Sequence, residues 1–520
     1  MRRLLGVLLA LAATVACAAP APAYDTTDLR TTLAREMRRA SPSSSAYVRD
    51  LGSGSELFAL RPATARVPAS VEKLYTTATA LLRLGPAATL DTRVLSDGAL
   101  DTDGVLHGDL VLAGAGDPFF GTQAAARLAA AVKAAGVMRI DGAVVGDESG
   151  FDRLRSAWGT TYDPDLGGVL SALAYDRGFG GGEVQLHAAR FAATRFATVL
   201  RAIGVRSSVK ARAGVAPAAA GEIARQASMD VRTLIRFVNV PSNNFAAEML
   251  LKELGRRFGA GGTTAAGAAV VRATAGAIGL HPAIRDGSGL SRSDRTTPRD
   301  VVDLLDRMDN PDVGDVFRGS LALAGVTGTV KDRMRSTAAF RRCRVKTGTL
   351  RRVSALAGYC TTRGDRKVAF ALLMNRVTSF TSAHAIQDRI AAAIARLDAE
   401  PPGPLSGGAT LPRREAEPFD HAGRRAARPC ASQPPARDGW HLGPHIRDPR
   451  ATNPARAAPR TPRARARAGR ARRAAGRRGA RPSRASSPAS HRRRRSRSSS
   501  TRSTSPARPR PRSAPSPARA

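Results

Sequence analysis

The chain has 520 residues and a formal net charge of +40, from 82 Lys or Arg and 42 Asp or Glu. The charge is uneven, because residues 401–520 hold 30 Arg, no Lys and 5 acidic residues. That Arg-, Pro-, Ala- and Ser-rich stretch cannot bury a core, so residues 399–520 are predicted to form a disordered tail. Residues 24–398 are long enough for two or three domains.

The first 23 residues are predicted to be a secretory signal peptide. Arg2 and Arg3 precede an apolar run from Leu4 to Ala16, and small residues near position 23 suit signal cleavage. The apolar run is too short for an ordinary transmembrane helix. We therefore expect an exported protein, located in the periplasm or in the extracellular cell-wall space.

The elements predicted after this segment change type along the chain. Two strands come first, at 46–51 and 56–60, and a helix follows at 70–84. The next stretch is β-rich, with strands at 91–95, 108–112 and 142–146 around a helix at 123–135. Four helices then follow, at 230–240, 244–258, 264–278 and 298–308. Strands return at 343–360 and 367–374, before a closing helix at 383–397.

Strands at both ends around a block of helices predict an α/β (α+β) fold. We expect a five-stranded antiparallel sheet flanked by helices, with two strands from the N-terminal part and three from the C-terminal part. In this interpretation residues 24–88 and 218–398 form one domain. Residues 89–217 would be a mostly β insertion in that domain.

The Arg-rich tail leaves two explanations open. Such a segment is typical of nucleic-acid binding, but export takes the chain away from nucleic acid, which we do not expect as a partner. An anionic cell-surface polymer is one candidate partner. The alternative is that the tail is GC-rich DNA read past the natural end of the gene.

Three short motifs carry the chemistry, and they occur in the order S-x-x-K, S-x-N and K-T-G. They are Ser70-Val71-Glu72-Lys73, Ser242-Asn243-Asn244 and Lys346-Thr347-Gly348-Thr349. This order is the signature of the active-site serine enzymes that bind penicillin. In the first motif one helical turn brings an amine beside a hydroxyl, so that a base meets a nucleophile.

The other two motifs suit the substrate. Ser242 adds a hydroxyl that can relay a proton, and Asn244 an amide that can hold a peptide bond. Lys346 and Thr347 are predicted to point toward a carboxylate, and Gly348 to let the substrate backbone approach.

S-x-x-K alone is a weak signal, and it occurs a second time at Ser207-Ser208-Val209-Lys210. The first copy opens a predicted helix that Gly85 ends, which suits the motif geometry. The second copy lies in a short basic segment with β-like character, so it is predicted to be a solvated surface strand.

Cys343 and Cys360 flank the K-T-G segment at equal distances from a predicted turn at Arg351 and Arg352. If the two flanking segments form a hairpin, the cysteines lie opposite each other. An oxidising compartment then favours a disulfide. Two free buried thiols are the alternative.

With these motifs in place, residues 25–400 resemble the class C low-molecular-mass penicillin-binding proteins, the D-alanyl-D-alanine carboxypeptidase/endopeptidase family. The resemblance implies that residues 24–88 and 218–398 form a penicillin-binding, transpeptidase-like domain. The long insertion between the first two motifs is itself a mark of that family. The stretches that carry the resemblance, besides the motifs, are 68–74, 116–118, 146–149, 286–292 and 346–350.

The resemblance implies a mechanism. Ser70 would attack the carbonyl of the penultimate D-alanine of a peptidoglycan peptide, with Lys73 as base and Ser242 passing the proton on. Burial and the charge of Lys346 are expected to lower the pKa of Lys73. β-Lactam antibiotics would be covalent inhibitors, and no metal or cofactor is expected. The residues implied in substrate binding are Asn244, Lys346, Thr347, Gly348, Thr349, Arg292 and Asp147.

Within that set, Thr349 would share the terminal carboxylate, and its N–H would form an oxyanion hole with that of Ser70. Arg292 and Asp147 would bind the free end of the wall peptide's side chain. For both of these residues a structural role in a turn is the alternative.

Two other functions remain as alternatives at this point. One is a β-lactamase or esterase with the same chemistry, but class A β-lactamases need a Glu between the second and third motifs, and 311–344 has none. The other is a non-catalytic wall-binding protein, which the intact motifs disfavour. The balance of carboxypeptidase and endopeptidase activity, the cross-link cut and the role of the insertion stay open.

Overall fold

The computed structural model describes residues 23–207 and 210–399. The predicted signal peptide, up to residue 22, and the predicted tail, from residue 400, lie outside the described residues. In the described part, no helix combines the length and the apolar character that crossing a membrane requires.

The central sheet has six strands rather than the predicted five. Its strands, in spatial order, are Ala322–Leu323, Cys343–Leu350, Val353–Thr361, Lys367–Asn375, Ser44–Asp50 and Glu56–Leu60. The five predicted strands are present, and all neighbours pair antiparallel. The extra edge strand has only two residues, too few to show an alternating pattern in the sequence. The predicted α+β class is confirmed.

Both faces of the sheet are covered, and alternate residues of one strand show this. Ala369, Ala371 and Leu373 enter one hydrophobic core, whereas Val368, Phe370 and Leu372 enter the other. The first core lies under helices from the middle of the chain. The second lies under the helices Thr26–Arg38 and Phe380–Arg396, from the two ends of the described chain.

All seven predicted helices are present, with ends that differ from the prediction by at most a few residues. They are Lys73–Leu84, Thr122–Ala134, Val231–Asn239, Asn244–Phe258, Thr264–Ala277, Pro298–Arg307 and Phe380–Arg396. Within the described residues, three further α-helices were not predicted: Thr26–Arg38, Ala188–Ala202 and Gly314–Gly319. The first has buried Leu29, Leu33 and Met37 at helical spacing, and the second buries one face rich in Ala and Phe, so both carried a periodic signal that the sequence analysis missed.

The region between the first two motifs forms two mixed sheets. One has the strand order Arg206–Ser207, Arg139–Ile140, Val105–His107 and Ala99–Leu100. The other has the order Ala211–Ala213, Val144–Asp147, Leu110–Ala113, Thr92–Ser96 and Gly221–Gln226. A two-stranded pair, Phe179–Gly180 with Glu183–Val184, lies apart from both sheets.

The helices Thr122–Ala134 and Ala188–Ala202 share a core with the strands of this region, so its character is mixed rather than mostly β. The strand Gly221–Gln226 pairs with Thr92–Ser96. This strand follows residue 217, the predicted end of the insertion, which stays a prediction.

The strands Cys343–Leu350 and Val353–Thr361 form the expected hairpin, and Cys343 lies opposite Cys360 in its register. The two buried cysteines are joined by a disulfide. We call Cys343–Leu350 the motif strand, because it carries the K-T-G sequence.

Candidate active site

Ser70 and Lys73 lie on one continuous helical segment. A 3-10 turn over Ala69–Glu72 leads directly into the helix Lys73–Leu84. Lys73 Nζ lies 2.9 Å from Ser70 Oγ. The Lys73 side chain is fully buried, whereas Ser70 is half-buried. A hydroxyl within reach of solvent therefore lies beside an amine that is not.

Two further acceptors fix the Lys73 amine. It donates to Asn244 Oδ1 at 2.7 Å and to the Ser288 carbonyl at 2.5 Å. Asn244 Nδ2 in turn donates to the carbonyl of Asp165, in the inserted region, at 2.6 Å. The amide of the S-x-N motif thus connects the S-x-x-K lysine with the insertion.

Ser242 and Lys346 form a second pair of a hydroxyl and an amine. Lys346 Nζ donates to Ser242 Oγ at 2.8 Å and to the Thr347 carbonyl at 2.8 Å. Ser242 has φ = +61° and Ala69, next to the nucleophile, has φ = +49°. A non-glycine residue in this left-handed region typically costs about 1–3 kcal/mol. Both serines of the site are therefore held where the backbone is strained.

The motif strand approaches the nucleophile at Gly348. A Cβ added there would lie 2.6 Å from the Pro68 carbonyl oxygen and 3.2 Å from Ala69 Cβ. The sequence analysis explained this glycine by the approach of a substrate backbone. The structure instead requires it because the chain just before Ser70 packs directly against the strand.

One edge of the motif strand is open. Arg344 and Val345 pair with the edge strand Ala322–Leu323. From Lys346 onward the strand has no partner strand on that side among the described residues. Thr347 Oγ1 donates to Thr329 Oγ1 at 2.7 Å, and Thr349 is exposed. An open edge beside a nucleophile is suited to pairing with an extended peptide.

Burial controls the protonation of both amines. It lowers the pKa of Lys73 to about 8, against the opposing attraction of Glu72, Asp286 and Glu248. Burial, and then the charge of Lys73, lower the pKa of Lys346 well below its usual value. The pKa of Lys73 is lowered, as expected, and burial is the largest cause. The charged groups with the largest effect on Lys73 are carboxylates, which raise its pKa, rather than the cation Lys346.

A group of buried carboxyl side chains lies behind Lys73. Its members are Glu72, Glu248, Asp286 and Asp294. Glu248 accepts from the Gly287 N–H at 2.9 Å, and Asp286 from the Gly289 N–H at 2.7 Å. These bonds hold the loop that presents the Ser288 carbonyl to Lys73. Burial raises the pKa of Glu72 well above its usual value, that of Glu248 to about 8 and that of Asp294 to about 10.

Comparison with known proteins is consistent with this geometry. Residues 29–167 and 183–397 match the D-Ala-D-Ala carboxypeptidase 3 (S13) family. The chain is 30% identical over 439 residues to the D-alanyl-D-alanine carboxypeptidase of Actinomadura sp. (strain R39), which covers 68% of this chain and 81% of that protein. A carboxypeptidase of Mycobacterium tuberculosis is 29% identical over 362 residues, covering 63% and 75%.

The chain belongs to the D-Ala-D-Ala carboxypeptidase 3 (S13) family.

Penicillin binding protein 4 (dacB) from Haemophilus influenzae shares the fold, with a TM-score of 0.61 at 19% identity over 69% of this chain and 97% of that one. The predicted membership of the low-molecular-mass penicillin-binding proteins is confirmed. This S13 peptidase is a serine-type D-Ala-D-Ala carboxypeptidase, a hydrolase, and the alternative of a non-catalytic binding protein falls away.

Two residues of the S13 chain that the sequence analysis assigned to the substrate make no hydrogen bond to Ser70 or Lys73 in the described part of the chain. Asp147 is buried at the end of its strand, where its two oxygens accept from the N–H groups of Ser149 and Ala216, each at 2.8 Å. These contacts fit the structural alternative, and the substrate contact of Asp147 stays a prediction. The insertion instead reaches the site through the Asp165 carbonyl.

Arg292 is exposed, and its Nη1 donates to the Arg351 carbonyl at 3.0 Å, at the turn end of the motif hairpin. The second S-x-x-K copy is only partly described. Ser207 lies in the two-residue strand Arg206–Ser207, and Lys210 is exposed.

Sequence reasoning missed three contributions to the site of this S13 peptidase: the Ser288 carbonyl, the Asp165 carbonyl and the buried carboxyl group behind Lys73. Two of these are backbone atoms, which no side-chain motif reports. The stretch 286–292 had been noted as part of the resemblance, and it was the available signal for Ser288 and Asp286.

Proposed function

We propose that this S13 peptidase cleaves the D-alanyl-D-alanine end of peptidoglycan stem peptides through an acyl-enzyme on Ser70. The observation that carries the proposal is the 2.9 Å contact between Ser70 Oγ and a buried amine that two other groups hold in place. A positioned nucleophile and base of this kind form the minimum apparatus for acyl transfer.

The neutral form of Lys73 is the base. A neutral amine has two N–H groups, which satisfy Asn244 Oδ1 and the Ser288 carbonyl, and one lone pair, which is left for the Ser70 hydroxyl proton. Ser70 Oγ attacks the carbonyl carbon of the penultimate D-alanine as that proton moves to Lys73. The N–H groups of Ser70 and Thr349 stabilise the resulting oxyanion.

The Ser242–Lys346 pair serves the leaving group. The proton reaches the departing nitrogen through the Ser242 hydroxyl, and the C–N bond breaks. Free D-alanine departs, and the rest of the peptide remains bound to Ser70 as an ester. Water then hydrolyses the ester. Lys346, Thr347 and Thr349 bind the terminal carboxylate, and that anion offsets the cost of a charged, buried Lys346.

The insertion and the open strand edge would position the rest of the substrate. A stem peptide that pairs with the motif strand beyond Lys346 passes between this strand and Asn244. Asn244 is held by Asp165, so the insertion, over about residues 89–226, shapes the wall of this groove. Arg292 lies at the far end of the same strand and would contact the peptide upstream of the cleaved bond.

The same nucleophile would be acylated by β-lactams. A structure of the Haemophilus influenzae protein complexed with a β-lactam, at 18% identity and a TM-score of 0.58, has the same fold. Action on peptidoglycan requires export, which the predicted signal peptide would provide. In the same compartment the Arg-rich tail would meet anionic cell-surface polymers.

Labelling with fluorescent penicillin tests the proposal and separates it from a β-lactamase. We expect one equivalent of covalent label per chain, stable for many minutes after excess penicillin is removed, and competition by a D-Ala-D-Ala peptide. Rapid loss of label with accumulation of hydrolysed penicillin would identify a β-lactamase instead. Absence of label on folded protein would overturn the assignment of Ser70.

A further inference from the structure

A cavity of about 740 Å³ opens at the turn end of the motif hairpin, and all of its charged lining residues are cationic. The five cationic side chains that line it are Arg66, Arg292, Arg351, Arg352 and Arg376. The remaining lining residues are neutral, and no Asp or Glu is among them. We call this cavity the arginine pocket.

The arginines of the pocket have no counter-ion in the part of the chain that the structure describes. None of the five forms a salt bridge there, whereas Arg155 pairs with Glu148 and Arg333 with Asp388 elsewhere in the fold. Burial, Arg61 and Arg376 lower the pKa of Arg66, as expected for a cation that faces other cations. An anion that enters the pocket would therefore relieve repulsion as well as form bonds.

The frame of the pocket is held by hydrogen bonds and joins the segment that leads to the nucleophile. The Asn375 side-chain amide forms two hydrogen bonds with the Val67 backbone. It accepts from the Val67 N–H and donates to the Val67 carbonyl, both at 3.0 Å. Val67 lies three residues before Ser70 and packs with Ala69 and Val353. The Arg66 backbone is also fixed, by hydrogen bonds in both directions with Thr296.

The side chains themselves are available. Arg66 Nε donates to Ser45 Oγ at 3.0 Å and Arg292 donates to the Arg351 carbonyl, so these two are oriented. Arg351, Arg352 and Arg376 are exposed, and no side-chain hydrogen bond of theirs is found among the described residues. Two positioned guanidinium groups and three free ones around one cavity can surround a ligand from several sides.

We propose that the arginine pocket is a binding site for a polymer that carries repeated phosphate groups. A single carboxylate would neutralise one of five cations, whereas consecutive phosphates match several guanidinium forks, each of which binds two oxygens at once. The pocket is large enough for more than one such group. The assignment does not depend on the role of Ser70, because no hydrogen bond joins any of the five arginines to that residue within the described residues.

Three proteins and three probes test the proposal. The proteins are the full-length wild type, Arg352→Gln/Arg376→Gln, and the control Arg190→Gln/Arg206→Gln, which removes two exposed arginines from the insertion. The probes are inorganic tripolyphosphate, inorganic phosphate and tricarballylate, which carries three carboxylates without phosphorus. The readout is the rise of the melting temperature with probe concentration in 0.15 M salt.

We expect tripolyphosphate to raise the melting temperature of the wild type and the control in a saturable way, with half-saturation at least tenfold weaker in Arg352→Gln/Arg376→Gln. Inorganic phosphate should bind more weakly than tripolyphosphate. The Arg-rich tail is present in all three proteins, so its binding cancels in the comparison. Fluorescent-penicillin labelling should be equal in all three, which shows that the variant is folded and that its catalytic site is unaffected.

Equal responses of the three proteins to tripolyphosphate would overturn the site. A response to tricarballylate as strong as that to tripolyphosphate would overturn the choice of phosphate. Equal affinity for phosphate and tripolyphosphate would overturn the assignment of a polymer as the ligand, because it would indicate a site for a single phosphate ion.

Discussion

Asn244 and Lys73 are joined by a hydrogen bond of 2.7 Å, although 171 residues separate them in the chain. The same Asn244 also holds the Asp165 carbonyl of the insertion. Lys73 is therefore positioned from three directions: by its own helix, by the S-x-N segment and by the Ser288 loop. A base that cannot move away from its nucleophile loses little freedom in the reaction.

Glu72→Gln should shift the pH dependence of catalysis. With a Lys73 pKa of about 8, the acid limb of kcat/KM is expected near that pH, because the protonated amine cannot accept the Ser70 proton. When ionised, Glu72 raises the pKa of Lys73. Burial raises the pKa of Glu72 itself, so this effect applies where Glu72 has lost its proton. Removal of the carboxylate should move the acid limb to lower pH, which a pH profile with a D-Ala-D-Ala peptide measures.

Glu222→Gln, in the outer strand of the insertion, is the control for this experiment and should leave the limb where it is. A limb that stays in place in Glu72→Gln, or moves to higher pH, contradicts the electrostatic coupling between the two residues.

Glu248→Gln should change how stability depends on pH. The folded pKa of Glu248 is raised to about 8 from a usual value of 4.5, mainly by burial. Between these pH values the folded state holds a proton that the unfolded state has lost, so the wild type loses stability as the pH rises from about 5 to 8. The variant cannot titrate there and should lose less.

The measurement is the melting temperature of both proteins across that range, with a difference that grows in favour of the variant. The effect of Lys73 on the pH dependence of stability has the opposite sign, because its folded pKa is lowered. This effect appears only above about pH 8, where the folded state has lost the Lys73 proton and the unfolded state still holds it. A constant difference between pH 5 and 8 would show that Glu248 does not bind the proton.

Gly348→Ala should damage both folding and activity. The added methyl group would lie 2.6 Å from the Pro68 carbonyl oxygen, so the strand or the segment before Ser70 must move. Overpacking of this kind costs roughly 1–3 kcal/mol. Urea unfolding measures the loss, and a peptide-hydrolysis assay measures the displaced nucleophile.

Gly276→Ala is the matched control, since a Cβ there meets nothing within 4 Å in the helix Thr264–Ala277. It should be neutral or stabilising by up to about 1 kcal/mol. Equal effects of the two alanine substitutions would rule out the close packing as the reason for Gly348.

Lys346→Ala should impair hydrolysis of peptides with a free terminal carboxylate more than it impairs folding. Loss of a charged hydrogen bond costs roughly 1.5–3 kcal/mol, or about one to two powers of ten in kcat/KM. The loss should be smaller for a peptide with an amidated terminus. Equal loss on both peptides would remove Lys346 from the carboxylate site.

The sequence predicted the parts of the site that side-chain motifs encode. The Ser70–Lys73 contact follows from one helical turn, and the Cys343–Cys360 pairing follows from the symmetry of a hairpin. It did not predict that Gly348 packs on Pro68, because that contact joins segments about 280 residues apart in a geometry that only the folded sheet defines.

Asp147 shows the other limit of sequence reasoning. An acidic residue in a family-like stretch suggests a ligand contact, but whether its oxygens are free depends on backbone N–H groups nearby. Here the N–H groups of Ser149 and Ala216 each donate to one oxygen, and the second of these residues lies 69 positions away. The two-residue strand Ala322–Leu323 escaped prediction for a similar reason, since its pairing depends on the motif strand rather than on its own pattern.

The most direct measurement compares Ser70→Ala with Ser207→Ala, the serines of the two S-x-x-K copies. Both purified proteins are incubated with fluorescent penicillin and with a D-Ala-D-Ala peptide, and circular dichroism confirms that each is folded. We predict that Ser70→Ala takes up no label and releases no D-alanine, while Ser207→Ala matches the wild type in both assays. Labelling or hydrolysis retained by folded Ser70→Ala, or lost in Ser207→Ala, would contradict the central claim.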